Sequence, residues 1–174
     1  MSALSGPMLK LGGFLLAHAS WIIDDLGPAD NYVPQALCLK EGELELNSFE
    51  ADTQEEAVAR GKAFMEVKAA EYDACAFARD GLLRHDGRAI DALIIDLADE
   101  TGAHVLTMIQ PYRRDEQMHL LGDEVFLFPP DRAKDEDGSA SLRPLVRAGA
   151  QDHSGARETW NRLDGSRQPA PDLF

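Results

Sequence analysis

The sequence predicts an α+β domain: a mainly antiparallel sheet with two helices, in the order α-β-β-α-β-β-β-β, followed by an irregular C-terminal tail. Three observations predict it. Residues 8–26 and 53–71 repeat apolar side chains at three- and four-residue spacing, as a helix with one buried face requires. Residues 33–49, 74–112 and 124–128 alternate or run apolar and are punctuated by turn residues, as strands do. From residue 129 onward Pro, Gly, Ser, Asp and Arg dominate and periodicity stops.

The first helix, 8–26, places Leu11, Leu15, Ala19, Ile22 and Leu26 on one face and stops at Gly27-Pro28. Gly12-Gly13 weakens its first turn, and the almost continuous apolar run from Phe14 to Ile23 leaves a strand as the rival reading. Residues 33–40 and 43–49 form a hairpin around Glu41-Gly42, with Glu43, Leu44, Glu45 and Leu46 alternating. Pro34 donates no hydrogen bond, so it belongs at a strand start or an edge.

The second helix, 53–71, opens with Thr53 and Glu56 at capping-box spacing, and Glu55 and Glu56 suit the positive end of the helix dipole. Val58, Met65, Ala69 and Tyr72 line its inner face, and Gly61 on that face permits a close approach to the sheet. Strands at 74–79, 88–98, 103–112 and 124–128 follow, with turns at Asp86-Gly87 and Glu100-Thr101-Gly102. The chain therefore divides into an α+β domain, 1–128, and a polar extension, 129–174, without its own core. Leu142, Leu145, Val146, Trp160, Leu163 and Phe174 are the extension's available anchors. Over about residues 8–112 the element order resembles that of small roadblock-type or profilin-like α/β/α dimerising modules, a likeness of order alone.

The net charge of −14 is unevenly placed: residues 1–128 hold 23 acids and 10 bases, residues 129–174 hold 8 and 7. Such a body repels phosphate, which argues against nucleic acid and anionic membrane and allows a basic protein partner. No apolar run approaches the roughly 18–20 residues that span a bilayer, and nothing near the start reads as a secretion signal. Cys38 and Cys75 sit in apolar strands and read as buried free thiols, which suits a reducing cytoplasm; a disulfide requires that their strands be neighbours.

No sequence motif announces a catalytic, metal or cofactor site. The five histidines have no partner at metal-binding spacing, and no P-loop, dinucleotide fingerprint or nucleophile elbow is present. His18, Trp21 and Asp25 share one side of the first helix, although His18 and Asp25 stand about 10 Å apart along it. Trp21 there can stack a planar ligand. Asp91 and Asp96 fall on opposite faces of their strand. Two-residue turns pair Arg79 with Ile94, diagonal to Asp96, and set Asp91 opposite Gln110. Tyr112, Arg113 and Arg114 form the only local basic cluster in the acidic body, suited to a carboxylate, a phosphate or an acidic loop.

Three functions are compatible with these features. The first is a non-catalytic protein-binding or regulatory domain using Trp21, Tyr112, Arg113 and Arg114. The second is a small hydrolase-type enzyme using His18 with Asp24 or Asp25 and Arg113. The third is a structural homo-oligomer. The short strand Val125–Phe128 is apolar on both faces and needs cover, so a homodimer is expected, with Pro34 blunting one candidate edge.

Overall fold

The computed structural model describes residues 4–130 and 139–170. The elements in chain order are α1 (Gly6–Asp25), β1 (Gln35–Lys40), β2 (Glu43–Ser48), α2 (Gln54–Lys68), β3 (Ala74–His85), β4 (Arg88–Ala98), β5 (His104–Arg114), β6 (Met118–Leu120), β7 (Val125–Leu127), α3 (Ser139–Asp152) and α4 (Arg157–Gly165). A short 3-10 turn, Ala69–Glu71, ends α2. The α+β class holds, with four helices rather than two.

Both early helices start where their sequences direct. Ser5 caps α1 by accepting the Met8 N–H, with a proline in the first turn, and Thr53 caps α2 by accepting the Glu56 N–H. The two tight hairpins use left-handed pairs, Glu41-Gly42 and Asp86-Gly87, as two-residue turns that match strand twist demand. The sheet runs β2-β1-β3-β4-β5-β6, every pairing antiparallel, and β7 joins the β5 edge that β6 also uses.

The strand register sorts side chains onto two faces. One face carries Leu37, Ala76, Ala78, Leu93, Ile95, Leu97, Leu106 and Met108 into a core shared with α1. The other carries Cys38, Cys75 and Ala98 beneath Phe64, Met65 and Tyr72 of the α2 segment. A Cβ on Gly61 would sit 2.1 Å from a Phe77 ring carbon, so the glycine does set the distance between α2 and the sheet.

The structure overturns several sequence expectations. The C-terminal extension is not irregular: α3 and α4 pack on α1, and Val146, Ala150, Trp160 and Leu163 join the same core as the sheet. Phe174 lies outside the described residues. The strand β3 continues to His85 because its hairpin with β4 pairs along its whole length. The β4–β5 turn has three residues, Glu100 to Gly102, rather than two, and a bulge between Leu97 and Ala98 adds one more residue of shift, so Gln110 faces Leu93 rather than Asp91. The short strand β6 was not anticipated. Pro34 precedes an interior strand, because β2 forms the sheet edge beyond β1.

Cys38 and Cys75 are not free thiols. The strands β1 and β3 are neighbours, the two residues face each other at a Cα separation of 4.2 Å, and they form a disulfide. The C-terminal helices are fastened by charge. The buried carboxylate of Glu124, just before β7, accepts from Arg143 at 3.1 Å, Arg147 at 3.2 Å and Arg167 at 2.9 Å. Three guanidiniums around one buried carboxylate join α3 and the segment after α4 to the sheet edge.

Candidate functional site

Among the described residues α2 is the only helix on its face of the sheet, and it packs over β3 and β1. The rest of that face, over β4, β5 and β7, displays side chains set by period-two alternation. Cross-strand register joins Leu83 to Ile90, Ile94 to Ile109 and Ile109 to Val125. Leu127 lies beside Thr107 and is 46 % exposed. Ile90, Ile94 and Val125 are half-buried. An apolar row on three adjacent strands therefore reaches solvent beside one helix.

A polar strip crosses this row at one end. Arg79 donates to Asp96 Oδ2 at 2.5 Å, as the hairpin register requires. Thr107, directly opposite Asp96, donates its hydroxyl to Oδ1 at 2.6 Å. That hydroxyl has one hydrogen, so His104 Nε2–H is the donor in its 2.8 Å contact with Thr107 Oγ1. The strip leads into a cleft of about 240 Å³ between α2 and the sheet, lined by Lys62, Met65, Glu66, Phe77, Asp96 and His104 among others. Asp96 and His104 are both engaged with Thr107, so the cleft offers an apolar slot with a charged rim rather than an activated nucleophile.

The sequence-derived site residues are divided by the structure. Tyr112 is buried and donates to Asp80 Oδ1 at 2.7 Å; burial and the adjacent Asp80 carboxylate push its phenol well above the ordinary tyrosine range. Arg114 lies on the same face and donates to the carbonyls of Leu26 and Gly27, satisfying the end of α1. Arg113 points the opposite way and pairs with Asp115 at 3.5 Å in solvent. Strand alternation thus separates the three members of the basic cluster. Burial raises the Asp80 carboxyl above its usual range, with the Tyr112 hydrogen bond opposing it.

On α1, Asp24 accepts from Arg162 at 2.5 Å and from the Met118 N–H, so it anchors α4 and β6, while Asp25 is exposed. His18 instead meets His153 at the end of α3, with Nδ1 2.9 Å from His153 Nε2. Trp21, 39 % exposed, lies edge-on to both rings, and Phe14 stacks on His153 at 4.4 Å. Nothing local in the sequence links residues 135 positions apart, so His153 was missed. His104 and Thr107 were missed too, although alternation along β4 and β5 put Asp96 and Thr107 on one face. Among the described residues no group of three or more His, Cys, Asp or Glu is placed to hold a metal ion, and no helix is long and apolar enough to cross a membrane.

No protein-family description, curated protein or solved structure matches the chain.

Proposed function

We propose that this chain is a non-catalytic protein-binding module whose working surface is the β4–β5–β7 side of the sheet beside α2. The observation that carries this reading is the row Ile90, Ile94, Val125 and Leu127, which no described helix covers and which ends at β7, beyond which no described strand pairs. Contiguous apolar surface rimmed by paired charges is the usual character of a protein contact. The residues of the hydrolase reading give it little support: His18 is paired with His153, Asp24 with Arg162 and Arg113 with Asp115. The net charge of −14 favours a partner with a basic rim, and it makes self-association through the same face salt-dependent. The disulfide removes the free-thiol argument for a reducing compartment and favours an oxidising one.

The test compares wild type with Leu127→Asp and with Leu44→Asp, the latter 47 % exposed on the opposite face of the sheet. Sedimentation at low and high salt reads self-association, and mapped cross-links to proteins co-isolated from native cells read other partners. The expected result is that Leu127→Asp loses the associated chain, whether a second copy or another protein, while Leu44→Asp keeps it and both variants melt like wild type. Association unaffected by Leu127→Asp, or no cross-link to β4, β5 or β7, would overturn the proposal.

A further inference from the structure

The histidine pair has a fixed direction. The Ala156 N–H lies 3.1 Å from His153 Nδ1 and 3.2 Å from the His153 carbonyl, sharing its hydrogen between them. A nitrogen that accepts an N–H carries no proton, so the proton of neutral His153 is on Nε2. That Nε2–H is 2.9 Å from His18 Nδ1, which must accept it, leaving the His18 proton on Nε2. The relay therefore runs from the Ala156 amide through His153 to His18, and it joins the α3–α4 junction to α1.

Both nitrogens that could take another proton are already accepting. Protonating His18 Nδ1 sets two N–H groups against each other across 2.9 Å. Protonating His153 Nδ1 sets a second N–H against the Ala156 amide. Each event therefore breaks a hydrogen bond that the neutral pair makes. The surroundings supply one small compensation, a main-chain hydrogen bond at His153 that favours its charged form but is outweighed by burial. The charged groups on the packed elements are Lys10, Asp24 and Asp25 of α1, Arg143, Arg147 and Asp152 of α3, and Arg157, Glu158, Arg162 and Asp164 of α4, of which Arg143 and Arg147 are taken by Glu124 and Asp164 by Arg167. Asp24 is taken by Arg162, and Arg157 donates to the Gln151 carbonyl. Among the described residues neither imidazole has a carboxylate partner, and the faces that remain are aromatic, from Phe14 and Trp21.

We propose that the α3–α4 junction is a pH-responsive clasp, held on α1 by the His18–His153 pair while both rings are neutral and loosened when either is protonated. Loosening uncovers Phe14 and enlarges the surface of the already exposed Trp21, so the clasp couples acidity to a second, aromatic surface distinct from the β4–β5–β7 face. Burial, and for His18 also the neighbouring His153, holds both imidazoles below the ordinary histidine range. The sign follows: a histidine depressed in the folded state contributes stability that is complete above its unfolded pKa, about 6.5, and is lost as pH falls below that value.

Nitrogen-15 NMR of the imidazoles in the intact protein tests this directly. At pH 7.5 both rings should be Nε2-protonated, and both should titrate below the ordinary histidine range. Between pH 7.5 and pH 5 the protection of the Ala156 amide, corrected for intrinsic exchange, should fall by on the order of tenfold or more, while core amides of β4 hold. The double substitution His18→Gln/His153→Gln should remove that pH dependence, and each single substitution should reduce it. Opposite tautomers, ordinary titration of both rings, or unchanged Ala156 protection at pH 5 would each overturn the proposal. The wild-type spectra decide it even if a variant fails to fold.

Discussion

Reducing the Cys38–Cys75 bond should cost this protein about 4 kcal/mol of stability. The bridge closes a loop with a sequence separation of 37 residues that includes β2 and all of α2. A cross-link of that span removes about 13 cal/mol/K of conformational entropy from the unfolded chain, which is about 4 kcal/mol at 25 °C. Against a total of roughly 5–15 kcal/mol for a domain, that is a large fraction. With a urea dependence of about 2 kcal/mol/M, it corresponds to a fall of about 2 M in the unfolding midpoint. Both cysteines are fully buried under Phe64, Met65 and Tyr72, so reductant reaches them only through opening of the α2 side.

The assay has two parts. Alkylation of unfolded protein should modify no cysteine without reductant and two with it, read as intact mass. Urea unfolding with and without reductant should then show the midpoint shift, and Cys38→Ala/Cys75→Ala should unfold at one midpoint in both conditions. Full alkylation of the unfolded protein without reductant would refute the bond. An unchanged midpoint after confirmed reduction would refute the loop-entropy argument while leaving the bond in place.

Other substitutions test other contacts. Glu124→Gln leaves three guanidiniums around a neutral side chain, and urea unfolding should show a loss of about 3–5 kcal/mol together with weaker protection of α3 in hydrogen exchange. Arg79→Ala removes one partner of a mostly buried pair whose carboxylate keeps the Thr107 hydroxyl, so thermal and urea unfolding should show an intermediate loss of about 1–3 kcal/mol. Asp80→Asn should stabilise the protein at neutral pH. Its raised folded pKa means the folded state holds the carboxyl proton more tightly than the unfolded chain, so wild-type stability falls as pH rises through that range; the amide removes this loss, and the gain over wild type should vanish on acidification.

The parts of the fold that could be read from sequence are those fixed by local chemistry. Strand β4 was bounded correctly at 88–98 because Asp86-Gly87 and Asp99 to Gly102 frame it, and the tight turn also fixed Arg79 opposite Ile94 and hence its pairing with Asp96. A turn one residue longer than expected and one residue of bulge at Leu97/Ala98 together defeat the same reasoning for β4–β5, since register carries every later pairing with it. The disulfide depended on β3 returning beside β1 after α2, a non-local placement with no residue signature. Tyr112, Arg113 and Arg114 looked like one site because they are consecutive, yet consecutive strand residues point apart. The apolar row beside α2 was present in the sequence as alternation, but which alternate face α2 would leave open is decided by packing.

The C-terminal helices had an indirect signature in α1. A helix apolar on one stripe needs one neighbour, whereas one apolar all round needs cover on every side. From Met8 to Ile23 α1 is of the second kind, which is why it was hard to tell from a buried strand. Its two adjacent glycines show where the two layers meet it. A Cβ on Gly12 would meet Met108 at 2.8 Å on the sheet side, and one on Gly13 would overlap the Val146 carbonyl oxygen, 1.7 Å away, on the α3 side. Gly149 of α3 answers from the other helix, with a Cβ there 1.9 Å from the Lys10 carbonyl oxygen. The two backbones thus approach through glycines at the N-terminal half of α1, and Glu124 holds the same helix through Arg143 and Arg147. His18 and His153 lie at the opposite end of this contact, more than a turn beyond the Gly13 crossing. Acid loosening there leaves α3 seated by close packing and a buried ion cluster, so the opening is confined to the junction with α4 and reverses without unfolding the domain.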